Sequence, residues 1–283
     1  MKISLFILFL ILALLSSCTK AFIQVFDTEA TQNLGDENGF IYETDTVKIT
    51  YAFWAEKGLM SFTIYNKLNK PIYIDWKKSA FINNDLKMDY WIDEVLTNIT
   101  GQYRSYYYAF PLASSSVSIG ANKGVQSASA NTIKPEKITF IPPKSKYNRK
   151  QFYLYPVNYY KFDDTASPLE VNRNDKPTKT TKIFAIGFSY DTTPLKFRNY
   201  LAIQFSENSE QVFFIDNEFY LKFVCEMDKR HFNGKCTGYD KDGCKIYERP
   251  YRKGTSFYIS LPTGYSTLHK NISKYYGFKN DWE

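Results

Sequence analysis

From Thr46 onward apolar and polar residues alternate singly: Val47, Ile49, Tyr51 and Phe53 fall on one side, Lys48 and Thr50 on the other. A period of two is the side-chain spacing of a strand with one buried face, and it is incompatible with the roughly 3.6-residue period of a helix. Ala55-Glu56-Lys57-Gly58 has the length and terminal glycine of a hairpin turn with a left-handed residue, after which Met60, Phe62 and Ile64 resume the alternation. Asn66 to Pro71 makes the next turn, and Ile72, Ile74 and Trp76 again share a face. Three consecutive antiparallel strands are expected here.

Further strands are expected at 138–141, 151–155, 183–190, 200–205, 211–215 and 218–227, with Asp216-Asn217 as a hairpin turn between the last two. In the last strand Phe219, Leu221, Phe223, Cys225 and Met227 alternate, which predicts a buried Cys225 that behaves as a small hydrophobe. With 24 Tyr and 23 Phe against 13 Gly and 11 Pro, the chain has the aromatic content that packs on pleated surfaces. The fold class is all-β: an antiparallel β-sandwich spanning 39–262 with long irregular loops, one of them mobile at about 111–133 and the other at about 161–181. The tail 263–283 is either a helix or an extended cover.

The stretch Ile49 to Asn83 carries Phe62-Thr-Ile-Tyr-Asn66, Pro71-Ile-Tyr-Ile-Asp-Trp76 and Ser79-Ala-Phe-Ile-Asn83. It resembles an immunoglobulin-like module of bacterial lipoproteins, and the resemblance extends loosely through Ile141-Pro-Pro-Lys144 and Phe197-Arg-Asn-Tyr200. It implies an immunoglobulin-like β-sandwich. It transfers neither an activity nor functional residues.

At the other end, Lys2 precedes an apolar run from Ile3 to Leu15, and Leu15-Ser16-Ser17 leads directly into Cys18. The run is within secretory-signal length and short of the roughly 20 residues that span a bilayer. The order of charge, apolar run, Leu-Ser-Ser and Cys resembles the lipobox of bacterial lipoproteins. This implies that 1–17 is a signal peptide, that Cys18 carries a diacylglyceryl group on sulfur, and that its new amine is acylated with a palmitate-like chain. The expected partner is then the lipid bilayer, held through two or three acyl chains, where one alone binds only marginally. Residues 18–38 hold a tether and a first strand; if Phe22 begins that strand, the fold starts about 10 Å from the lipid. No Asp follows Cys18 and no acidic cluster lies behind it, which for lipoproteins points to the periplasmic face of the outer membrane.

The formal charge of +7 becomes +6 once Lys2 leaves with the signal. Lys134 to Lys182 contains eleven Lys/Arg against five Asp/Glu. Spread in this way they read as a solvated stretch, with a site for anionic phospholipid or lipopolysaccharide as the alternative. Nucleic acid is not an expected partner outside the cytoplasm.

Catalytic signals are sparse. His231 and His269 are the only histidines, and no nucleophile elbow, zinc-protease, P-loop or dinucleotide motif is present. Carboxylate pairs leave no sequence trace, so Asp216 with Glu218, or Asp163 with Asp164, are the nominees for a glycan hydrolase. Of the cysteines left after Cys18, a core-facing Cys225 leaves Cys236 and Cys244 as the expected disulfide in an oxidising compartment. A zinc set of Cys225, His231, Cys236 and Cys244 lacks a Cys-x-x-Cys knuckle, so neither metal nor cofactor is expected. Asp240-Lys-Asp242-Gly243 reads as a turn. Tyr106, Tyr107 and Tyr108, with Tyr159 and Tyr160, are candidates for stacking on sugar rings. Thr46, Thr165 and Thr192 each follow Asp in a short bacterial O-glycosylation pattern. The functional expectation is an anchored envelope module that binds or scaffolds an envelope protein or glycan, and the alternative is a carboxylate-dependent glycan hydrolase or carbohydrate-binding protein on the same fold.

Overall fold

The computed structural model describes residues 21–34, 39–92, 136–163, 166–207 and 209–262. Cys18, Tyr106, Tyr107, Tyr108, Thr165, the loop expected at 111–133 and the tail 263–283 lie outside them. The regular structure of the described residues is almost entirely antiparallel β-sheet.

A four-stranded sheet runs β2 (Phe40–Glu43), β3 (Val47–Tyr51), β4 (Leu59–Asn66) and β9 (Lys146–Tyr153). β3 and β4 bury alternate residues, so Val47, Ile49, Tyr51, Met60, Phe62 and Ile64 form one apolar face. The hairpin between them is the expected one, with Gly58 at φ +66°.

The larger sheet is built on β13 (Phe213–Asp228) and curls into a half-barrel. One side of β13 pairs first with β12 (Lys196–Gln204) and then with β11 (Thr180–Gly187), which carries β10 (Leu169–Asn172) outside it. Its other side pairs with β1 (Phe22–Ala30), outside which lies β16 (Ser256–Ser260). The far side of β12 takes β5 (Ile72–Asp75) and β6 (Ala80–Asn83), flanked by β8 (Ile138–Ile141) and β7 (Leu86–Asp89). The helix α1 (Lys229–Asn233) follows β13, capped by the Asp228 side chain, which accepts from the Arg230 N–H. A separate hairpin joins β14 (Cys236–Tyr239) to β15 (Lys245–Tyr247).

The two sheets pack face to face through aromatic rings. Tyr51 meets Phe219 at 5.0 Å, Phe53 meets both Phe197 and Phe219 at 5.3 Å, and Phe62 lies against Trp76 and Tyr90. Arg149 lies over the Trp76 ring at 4.0 Å, where the guanidinium faces the π-cloud.

Several expectations need correction: the stretch expected as a loop at about 161–181 holds β10 and the start of β11. β5 does not pair with β4; it crosses to the larger sheet and pairs with β8 and β12. The buried Asn66 explains the crossing: its Nδ2 donates to the carbonyls of Lys70 and Pro142, and its Oδ1 accepts from the Leu68 N–H. These bonds satisfy a bend that leaves one sheet for the other. Asp216-Asn217 is no turn either, because β13 runs through it. Asn217 is buried and hydrogen-bonded across the core, while Asp216 pairs with Arg198 of β12. Finally, Phe223 is 39% exposed although Phe219 and Leu221 are buried. Asp27 and Thr28 of β1 oppose Phe223 and Leu221, so Lys222 is an extra residue in β13. A bulge of this kind shifts the alternation by one and exchanges the two faces beyond it. Val224 therefore joins the main core, and Cys225 and Met227 point to the opposite side.

That opposite side has a small core of its own. Ile23, Val25, Ile183, Cys225 and Met227 are covered by Phe232 of α1 and by Tyr251 and Trp54. Cys225 is buried as expected, and burial pushes its thiol up to about 12.

Candidate functional site

β12 places Phe197, Asn199 and Leu201 in the core, so Lys196, Arg198 and Tyr200 project from the other face of the sheet. β13 places Phe214, Asp216, Glu218 and Tyr220 on that same outer face, and the antiparallel register brings the two rows together. Tyr200 and Phe214 stack with centroids 5.1 Å apart and planes 22° apart. Phe214 is nevertheless 52% exposed, and Phe213 beside it is 47% exposed.

Charged groups border this aromatic ledge. Arg198 forms a two-pronged contact with the Asp216 carboxylate, Tyr190 donates to Glu218 at 2.8 Å, and Lys196 lies 3.9 Å above the Tyr190 ring. Farther along, Tyr220 and Lys222 donate to Glu29, and these two bonds, the Tyr220 one first, hold its carboxyl below the usual range. Next to the ledge a shallow groove of about 310 Å³ is lined by Ala80, Ile82, Asp85, Lys87, Arg198 and Tyr200. The arrangement presents exposed aromatic rings flanked by donors and acceptors, which can meet a ring that has one apolar face and polar edges.

A second concavity of about 1050 Å³ lies between the end of β1 and the approach to β16. Two of its acids are engaged: Asp27 accepts from the Thr255 and Ser256 hydroxyls, and Glu29 from Tyr220 and Lys222. Its exposed cations are Arg252, Lys253 and Lys222, the last bonded to Glu29.

His231 occupies a structural position. Its Nδ1 accepts from the Asn174 backbone N–H at 3.1 Å, so in the neutral ring the proton sits on Nε2 and is donated to the Tyr251 hydroxyl at 2.7 Å. Asn174 Nδ2 returns a bond to the His231 carbonyl. Burial holds the imidazole below its ordinary pKa.

The other nominated residues are dispersed. Cys236 and Cys244 are both free and exposed, and the expected disulfide between them is not formed. Cys236 pairs with Tyr247, three residues past Cys244. At roughly 3.3 Å per residue that offset is about 10 Å, beyond the 7 Å or so across which a disulfide can close. Among the described residues no group of three or more His, Cys, Asp or Glu side chains is placed to hold a metal. Asp240 Oδ1 accepts from the N–H groups of Asp242 and Cys244, making the tip of the β14–β15 hairpin. Tyr160 is half-buried and meets Phe162 and Phe188 edge-on, so it packs and does not offer a platform. Thr192 is exposed in a turn where its hydroxyl accepts from the Ser189 N–H, and Thr46 is half-buried beside Thr44. Asp216 and Glu218 share one face but are tied to Arg198 and Tyr190; Asp164 lies outside the described residues.

Sequence reasoning missed the ledge. Its signal was present in β12, where Arg198 and Tyr200 alternate with Phe197, Asn199 and Leu201, but the adjacent Phe213-Phe214 hides the phase of β13. No protein-family model, curated protein or solved structure matches this chain.

Proposed function

We propose that this protein is a lipid-anchored module of the bacterial envelope, an immunoglobulin-like β-sandwich that works by binding, with a saccharide as its ligand on the outer face of β12 and β13. The observation that carries the reading is the exposed Tyr200–Phe214 stack. Aromatic faces pack on the C–H faces of sugar rings, and Arg198, Asp216, Asp85 and Lys87 are within the same surface to meet hydroxyls. The lipobox-like Leu15-Ser16-Ser17-Cys18 supports the location, and the periplasmic face of the outer membrane is the compartment it favours. Two antiparallel sheets facing one another, with the chain crossing between them at Asn66, support the immunoglobulin-like reading.

A hydrolase is less well supported. A glycosidase pair needs two carboxyls free to meet the glycosidic bond, whereas the nominated Asp216 and Glu218 are each engaged by a donor, Arg198 and Tyr190.

The test is retention on immobilised envelope polysaccharides and glycan arrays, comparing the parent chain with Tyr200→Ala/Phe214→Ala. Retention that falls about tenfold or more in the variant, consistent with loss of stacking on two rings, is the expected result. Silence across both formats, or equal retention by both proteins, would overturn the ligand assignment. Fatty-acid labelling that persists in Cys18→Ser would remove the anchor.

A further inference from the structure

The starts of β1 and α1 lie against each other. The Ala21 carbonyl accepts from the Lys229 N–H at 2.9 Å, and Phe22 pairs with Asp228. The chain therefore leaves the fold toward Cys18 beside α1. Three residues of covalent reach, at most about 10 Å, separate Ala21 from Cys18.

The elements gathered around α1 are basic. Lys229 to Lys253 contains eight Lys/Arg against three Asp/Glu, and Arg173 to Lys182 contains four against one. These stretches are distant in sequence but joined in the fold: Asn174 is bonded to His231, and the Arg249 N–H donates to the Asn233 carbonyl at 2.9 Å. Lys229, Arg230, Lys235, Lys241, Lys245 and Arg249 are all exposed. The β14–β15 hairpin adds Tyr239, 66% exposed, and Ile246, 47% exposed, among its lysines. A ring with a polar end and an apolar side chain between cations is a composition suited to the headgroup region of a bilayer.

We infer that this basic unit is a second membrane contact, which lies on the anionic phospholipid surface that the Cys18 acyl chains enter. The inference rests on the anchor of the proposed function and adds to it. Electrostatic attraction decays over a Debye length of about 8 Å at physiological salt, and a tether of about 10 Å keeps Lys229, whose N–H bonds the Ala21 carbonyl, near that range. Each cation near an anionic leaflet adds to the attraction, and one lipid signal with a polybasic patch is a stronger anchor than either alone. The short tether also raises the local concentration of headgroups, so the contact forms without high intrinsic affinity.

The acylated full chain, reconstituted into vesicles of phosphatidylcholine alone or with about one-third phosphatidylglycerol, provides the test. Tryptic cleavage at Lys241 and Lys245 is followed by mass spectrometry, with exposed Lys87 on β7 as the reference site. Cleavage in the hairpin is expected to slow about tenfold on the phosphatidylglycerol vesicles and to recover at high salt, with Lys87 unaffected. The variant Lys229→Glu/Arg230→Glu/Lys235→Glu should lose the difference, and the corresponding glutamine variant serves if the glutamates impair folding. Equal hairpin cleavage on both vesicles by the parent chain would overturn the contact. Flotation of Cys18→Ser separates the two ideas: salt-sensitive retention on phosphatidylglycerol vesicles alone supports the basic surface without the anchor. A parent chain that floats with neither vesicle removes the anchor.

Discussion

The Tyr51 hydroxyl on β3 donates to Asn217 Oδ1 on β13 at 2.8 Å, inside the core where the two sheets meet. The bond belongs to a chain of buried polar groups. Tyr90 donates to Asn199 Oδ1, Asn199 Nδ2 donates back to the Tyr51 oxygen, and Asn217 Nδ2 donates to Gln32 Oε1. Asn199 and Asn217 are directly opposed in the β12–β13 register, so the ladder ties three strands to one alignment. Burial raises the Tyr51 and Tyr90 hydroxyls well above the ordinary phenol range, which keeps them protonated donors.

Tyr51→Phe removes a group that both gives and accepts, leaving Asn217 Oδ1 and Asn199 Nδ2 buried without it. Each group left unpaired costs about 1–3 kcal/mol. With two such groups, urea unfolding should show a loss of at least about 2 kcal/mol with an unchanged m-value, and a double-mutant cycle with Asn217→Ala should show coupling of at least about 0.5 kcal/mol. Strict additivity would show that the ladder does not act as a unit.

His231 makes stability pH-dependent. Its folded pKa is depressed, so the unfolded chain binds the extra proton, and the stabilisation is full above the unfolded value of about 6.5. It is lost as pH falls below that value and through the lower folded pKa. His231→Gln should be less stable at neutral pH and should lack this part of the acid limb in denaturant titrations from pH 8 to about 5. Parallel pH profiles would contradict a neutral, buried imidazole.

Gly58 turns the β3–β4 hairpin at φ +66°, and a Cβ there would stand 2.9 Å from the Phe257 ring and 3.0 Å from Leu154 Cβ. Gly58→Ala thus combines backbone strain with a clash in the core. The expected loss exceeds about 1 kcal/mol, read as a lower thermal midpoint. A stabilised variant would show that the turn rearranges.

The three described thiols should separate kinetically. Cys236 and Cys244 are exposed, whereas Cys225 is buried and its thiol lies near 12, so little of the reactive thiolate forms. Alkylation of the native protein followed by mass analysis should show two rapid additions at these positions and a third only on unfolding. Protection of both exposed thiols, reversed by reductant, would restore the disulfide.

Arg149 lies over Trp76, donates to the Tyr90 carbonyl and meets Gln151 with two nitrogens. Lysine reproduces the charge but neither the planar stack nor the fork. Arg149→Lys should cost about 1–2 kcal/mol in denaturant unfolding, and a neutral result would reduce the guanidinium to a surface charge.

Local pattern determined the β-class of this protein and the hairpin at Gly58, because alternation and turn chemistry act between residues close in the chain; alternation with Phe219 and Leu221 would put Cys225 in the main core, and it lies in the smaller one. Tertiary structure decided what depends on distant partners. Asn66 sends the strand after it to the other sheet because its amide meets carbonyls around Pro142, and Asn217 continues a strand where a turn was expected because Tyr51 is there to bond it. The bulge at Lys222 is set by pairing with β1, nearly two hundred residues earlier, and it alone decides which face carries Cys225. The same holds for the two candidate surfaces: Tyr200 meets Phe214, and Asn174 meets His231, only after the sheet has formed. A period of two records which residues turn inward, but it carries no term for which strand will lie alongside.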